Sequence, residues 1–144
     1  PILIMGHTDD SNVQIYAYTD FDSMDKMDRY RLMDLSARYG NRDGAALRYV
    51  AERLLKQPEE KKLLLLVSDG QPAGTGGYLG SAAEADLRGI KKEYTNKGIL
   101  FVAAAIGDDK ENIERIYGDA FLDISDLTKL PFLLVKKIEK ELKG

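Results

Sequence analysis

The sequence predicts a single α/β domain: a three-layer, Rossmann-like, mostly parallel sheet with helices on both faces. Three observations carry that expectation. The runs KLLLLVS (62–68) and ILFVAAAIG (99–107) are apolar without alternation, as parallel strands covered on both faces are. Segments with helical periodicity separate the strand-like runs. The chain has 144 residues, 44% of them hydrophobic and 31% charged, enough for one sizeable core and too few to expect two.

The elements follow in order. PILIMG opens the chain as a strand, and VQIYAYT (13–19) sets Val13, Ile15 and Ala17 against Gln14, Tyr16 and Tyr18, an alternation suited to a strand nearer an edge. The short polar turn HTDDSN between them predicts an antiparallel hairpin. Asp22 to Tyr39 places Met24, Met27, Leu32 and Leu35 on one face and reads as a helix. Gly44 to Lys56 groups Leu47, Val50, Ala51 and Leu54 in the same way. Ser81 to Lys97 is helical, with Gly98 as its stop, and Glu111 to Tyr117 is a short helix. AFLDI (120–124) is a fifth, shorter strand. The last helix starts near Thr128, tolerates Pro131 in its first turn, and aligns Leu133, Leu134, Ile138 and Leu142. Residues 1–144 thus form one domain with no repeat or linker, ordered β-β-α-α-β-α-β-α-β-α.

Composition excludes several classes of function. A net charge of -3 gives no bulk field for phosphate backbones or anionic lipid, so neither nucleic acid nor membrane is an expected partner. The absence of cysteine removes disulfides and thiolate metal sites, and the apolar runs are strand-sized. Cytoplasmic residence is the expectation. The opening Pro1-Ile2-Leu3, without an initiator Met, basic region or cleavage site, reads as an N-terminally truncated fragment. No G-x-x-x-x-G-K-[ST] occurs, and the spacing of Gly74, Gly76, Gly77 and Gly80 fails G-x-G-x-x-G. His7, the only histidine, rules out a multi-histidine metal centre and reads as a turn or hydrogen-bonding residue. Arg42, Arg48 and Arg53 read as a solvated face.

The chemistry concentrates in two loops. Ligands of an open α/β sheet bind outside the carboxyl ends of its strands, where Asp69 follows the run 62–68. Asp69-Gly70 is also ordinary turn chemistry. Gly107-Asp108-Asp109 ends the next strand and reads as a turn that caps the following helix. Gly40-Asn41-Arg42-Asp43-Gly44 precedes a helix that Asn41 or Asp43 is expected to cap, and an oxygen ligand can share that position. Two or three oxygen ligands from separate loops, completed by water, are how Mg²⁺ is held.

The succession GNRDGAALRYVAERLL, a charged turn, then KKLLLLVSDGQPAG resembles the von Willebrand factor A domain. It is most similar to the C-terminal domain of the cobaltochelatase T subunit and to the nitric-oxide-reductase activation protein of the D type. The paired motifs are Asn41-Arg42-Asp43-Gly44 and Ser68-Asp69-Gly70-Gln71-Pro72; DFDS (20–23), ILFVAAAIG and LTKLPFLLVKKIEKEL also fit, so the likeness covers essentially the whole chain. The resemblance implies a metal-ion-dependent adhesion site in which Asp69 is the third-loop aspartate and Asn41 or Asp43 the second-loop ligand. A partner's carboxylate would complete the Mg²⁺ shell.

It also marks a departure. The first-loop motif D-x-S-x-S is absent: Asp9-Asp10-Ser11-Asn12-Val13 and Asp123-Ile124-Ser125-Asp126-Leu127 each lack the second serine. By resemblance the chain lacks the family's first strand and helix. Strands 1–6 and 62–68 are then expected either to pair directly or to be bridged by a second copy in a homodimer, with weak Mg²⁺ affinity in the fragment. The implied function is protein–protein interaction without catalysis, as a non-ATPase part of a cobaltochelatase-like or MoxR-type AAA+ assembly. The partners would be the AAA+ ATPase subunit and a metal-chelatase or reductase client, with cobalt insertion in cobalamin biosynthesis as the specific expectation. The rival is a Mg²⁺-dependent phosphotransfer or hydrolase domain that uses Asp69 as ligand or nucleophile.

Overall fold

The computed structural model describes residues 1–23, 25–34, 36, 38–105, 110–124 and 126–143. The expected hairpin forms: β1 (Ile4–Asp10) and β2 (Asn12–Thr19) pair antiparallel about Ser11, which takes the left-handed backbone of a tight turn with φ 63°.

The helix expected over Asp22 to Tyr39 does not form as such. Among its described residues the segment holds one helical turn, α1 (Asp28–Arg31), and a 3₁₀ turn at 32–34; Met24, Leu35 and Ala37 lie outside the described residues. Local aspartates compete with helical hydrogen bonding. Asp20 accepts the Phe21 amide at 2.7 Å and Asp25 the Met27 amide at 2.8 Å, while Asp28 ties back to the Thr19 hydroxyl at 2.7 Å. Of the two stripe residues described, Met27 is exposed and Leu32 only half-buried, so little burial there rewards a helix.

The remaining elements match the periodicity closely. They are α2 (Asp43–Leu55), β3 (Lys62–Ser68), α3 (Gly80–Asn96), β6 (Ile99–Ala105), α4 (Lys110–Tyr117), β7 (Phe121–Asp123) and α5 (Leu130–Lys143). The Gly-rich loop contains a miniature hairpin that the sequence did not announce, β4 (Ala73–Gly74) with β5 (Tyr78–Leu79).

β3, β6 and β7 form a parallel sheet in that order. Leu64 and Leu66 of β3 and Phe101, Ala103 and Ala105 of β6 share one face, which α2, α3 and α4 cover with Leu47, Leu87, Ile90, Ile113 and Tyr117. Each fully buried large aliphatic side chain here is worth about 1.5–3 kcal/mol. Phe101 stacks on Tyr117 with ring centroids 5.5 Å apart. Val102 and Ala104 point to the other face and are also buried, whereas Val67 at the end of β3 remains 46% exposed.

The hairpin is a sheet of its own, so strands 1–6 and 62–68 do not pair directly, and no described strand lies between them. It reaches the rest of the fold through α1, α2 and two loops. The Asp9 amide donates to the Gly40 carbonyl at 2.6 Å, and Asn41 and Ala73 exchange backbone bonds of 3.1 and 3.2 Å. No helix among the described residues is long and apolar enough to cross a membrane.

Candidate functional site at the carboxyl ends of the strands

Three loops converge at the carboxyl end of β3: the hairpin turn, the Gly40–Gly44 segment and the Gly-rich loop. Asp69 follows β3 directly and is exposed. Its Oδ1 accepts the Gln71 amide at 3.0 Å, and the Ser68 hydroxyl accepts the Gly70 amide at 3.1 Å, so both side chains shape the turn. Gly70 is required there. Its φ is 78°, and a Cβ would lie 2.8 Å from Ile113 Cγ1.

Asp43 is the first residue of α2, with only 3% of its side chain exposed. The Asn41 amide nitrogen donates to Asp43 Oδ1 at 3.0 Å, and His7 Nε2 lies 3.5 Å from the same oxygen. Burial pushes the Asp43 carboxyl up to about 6, the negative charge of Asp69 adds to that push, and the Asn41 bond opposes it. Burial lowers the imidazole of His7, so a neutral ring faces Asp43. His7 Nδ1 is buried without a hydrogen-bond partner among the described residues.

Asn41 is engaged at both ends of its amide. Its oxygen accepts the Ala73 amide at 3.0 Å while its nitrogen serves Asp43. Neither Asn41 nor Asp43 caps α2, contrary to expectation. The first residue before the helix is Arg42, without a side-chain cap, and the free amide of Gly44 instead donates to the Tyr78 hydroxyl at 3.2 Å. That hydroxyl donates to Asp86 Oδ2 at 2.9 Å, and Asp86 is paired with Arg48. Glycine at 44 makes room for the arrangement, since a Cβ would lie 2.3 Å from Asp86 Oδ2 and 2.4 Å from the Tyr78 oxygen.

A second anchor is the buried Asp9. Its carboxylate accepts the Thr75 amide at 2.6 Å, the Thr75 hydroxyl at 3.0 Å and Arg42 Nε at 3.3 Å. Burial pushes this carboxyl up, but the Thr75 and Arg42 bonds outweigh it and hold the group below its ordinary range. Arg42, Arg48 and Arg53 keep solvent access, and each also pairs with an aspartate, Asp9, Asp86 and Asp20 in turn. Sequence inspection missed Asp9, Thr75, Tyr78 and Asp86. The glycines around Thr75 and Tyr78 were the available signal for a shaped loop, but the partners lie far away in the chain.

Asp69 and Asp43 thus share this pole of the sheet, and Asn41 braces Asp43. Carboxylate oxygens are the donors that hard divalent ions take, and the Asn41 amide is already engaged by Asp43 and the Ala73 amide. Among the described residues no group of three or more His, Cys, Asp or Glu side chains is placed to hold a metal. Gly107-Asp108-Asp109 and Ser125 lie outside the described residues.

A parallel sheet with helices, and polar loops gathered at the carboxyl ends of its strands, defines a three-layer α/β domain of the von Willebrand factor A type. Residues 18–142 match the family described as "Cobalamin biosynthesis protein CobT VWA domain", and the chain belongs to that family. Protein NorD of Brucella suis is 31% identical over 125 residues, which cover 85% of this chain and 20% of the relative. The uncharacterized protein PA0525 of Pseudomonas aeruginosa is 39% identical over 75% of the chain and 18% of its own length, and the uncharacterized YojO of Bacillus subtilis 27% over 76% and 18%. The chain thus spans about a fifth of the length of these curated relatives. No solved structure matches it.

Proposed function

We propose that the domain docks a protein partner through a divalent cation, Mg²⁺ in the cell, at the carboxyl pole of its sheet. The observation that carries this reading is the pair Asp43 and Asp69. One carboxylate is buried, the other exposed, and the charge of Asp69 acts on Asp43. Asp69 would hold the ion directly or through water, Asp43 would supply the second protein oxygen, and Asn41 would keep Asp43 aimed. A bound cation would supply an electrophilic centre for a carboxylate of the partner. The family description names cobalamin biosynthesis and the Brucella relatives are NorD proteins, which supports a place in a cobaltochelatase-like or reductase-activating assembly. The docked partner would be its AAA+ ATPase subunit, and the client the enzyme or chelatase that the assembly remodels.

The test is capture of the AAA+ subunit by the full-length protein with Mg²⁺ or with EDTA, for the native chain and for Asp69→Ala. Binding is expected to fall by at least about tenfold in EDTA and in the variant, the loss of one charged ligand at an interface. Unchanged capture by a folded Asp69→Ala protein would reduce Asp69 to a turn former.

A further inference from the structure

The opposite pole of the sheet carries the reverse chemistry. Two adjoining depressions, of about 400 and 430 Å³, open around the amino ends of β3 and β6. The first has an apolar floor that includes Leu63, Ile99, Phe101 and Ile138, under a rim of Lys61, Lys62, Lys91 and Lys137. The second adds Arg88, Lys92 and Arg115 above Ile116 and Tyr117; Lys91, Thr95 and Asp119 line both. Seven basic side chains and a single carboxylate thus line a groove in a chain whose net charge is -3.

Internal partners neutralise only part of that charge. Asp119 pairs with Lys91, and its carbonyl accepts from Lys137. Glu84, outside the groove, pairs with Arg115 at 2.7 Å and Arg88 at 3.5 Å. Lys62 donates to the Glu59 carbonyl, while Lys61 and Lys92 make no hydrogen bond or ion pair among the described residues. The surplus is positive and faces solvent.

We propose that this groove is a second docking surface, which takes an acidic peptide segment of a partner protein with an apolar side chain anchored in each depression. Charge complementarity selects an acidic ligand. The apolar floors select a peptide over a nucleic acid, whose phosphodiester backbone would leave them unfilled. The volumes are of ligand-pocket size and suit side-chain anchors. Because the groove and the Asp69 loops occupy opposite poles, the two surfaces can be engaged together, and this one needs no cation.

The experiment is fluorescence anisotropy in EDTA, on the domain within its full-length protein, with a labelled Asp/Glu-rich peptide carrying two spaced Phe or Leu anchors. Two probes serve as controls: the same peptide with alanine at the anchors, and a short single-stranded oligonucleotide. The anchored peptide is expected to bind most tightly, to weaken as salt rises, and to lose about tenfold or more in Lys91→Glu/Lys137→Glu. Asp69→Ala should leave it unchanged, which separates this proposal from the docking reading above. Since Lys91 and Lys137 contact Asp119, Lys61→Glu/Lys92→Glu provides a variant of two groups without partners among the described residues, expected to lose several-fold. Absence of binding, equal binding of the alanine peptide or the oligonucleotide, or indifference to a folded charge-reversal variant would each overturn the proposal.

Discussion

The two poles of the sheet use polar side chains in opposite ways. At the carboxyl pole, Asp9, Asn41, Tyr78 and Asp86 spend their hydrogen bonds on the protein itself, tying three loops into one body. At the amino pole, lysines and arginines surround apolar floors and keep much of their charge for solvent. Internal satisfaction makes a polar residue a stability determinant, because removing one partner leaves the other buried and unpaired. Outward charge makes it a recognition determinant at little cost to the fold. The difference predicts that substitutions at the first pole change unfolding, and at the second change binding.

The largest effect should come from Asp43. Its ordinary value is 3.8 and its folded value about 6, so between those pH values the folded chain holds a proton that the unfolded chain releases. Stability from this group is therefore full below about pH 4 and is lost as pH rises through 6, by up to about 3 kcal/mol. Urea denaturation across pH 4 to 8 should show that decline, and Asp43→Asn, which keeps an acceptor for Asn41, should flatten it. Mg²⁺ added at neutral pH should restore part of the lost stability in the native chain and none in the variant if Asp43 is a ligand.

Next comes a pair of glycines. Gly44→Ala drives a methyl into the Tyr78 and Asp86 oxygens and should cost about 1–3 kcal/mol. Gly89→Ala, in the middle of α3 with nothing within 4 Å of its added carbon, should instead stabilise by about 0.5–1 kcal/mol. Opposite shifts in the denaturation midpoint would confirm that the Tyr78 clamp, not helix propensity, sets the requirement at 44.

Those residues also show how far the sequence could be read. The hairpin, the two parallel strands, α3 with its Gly98 stop and α5 were legible because a local pattern of period 2, period 3.6 or unbroken hydrophobicity determines each. The stripe over 22–39 misled because periodicity states only which residues could share a face, and here Met27 of that stripe is left exposed. Asp69 and the Asn41-Arg42-Asp43 loop were legible from the strand end and the glycine punctuation. The clamps were not: Asp9 and Thr75 are 66 positions apart, and Gly44 and Tyr78 are 34 apart. No local pattern encodes a bond of that span, and an arginine such as Arg42 looks the same in a sequence whether it is solvated or paired.

The smallest stability effect is expected at the amino pole, and its smallness is what sharpens the contrast. Tyr117 lies beneath the groove with its hydroxyl buried and without a partner among the described residues, and burial holds its ionisation well above the ordinary range. Tyr117→Phe removes an unsatisfied group from a stacked ring and should be neutral or stabilise by up to about 1 kcal/mol. Lys61→Ala and Lys92→Ala remove no hydrogen bond or ion pair among the described residues and should shift the urea midpoint by less than about 0.5 kcal/mol equivalent. If these two lysines instead proved as costly to remove as Gly44 is to fill, the amino pole would also be spending its charge on the fold, and the surplus available to an acidic partner would disappear.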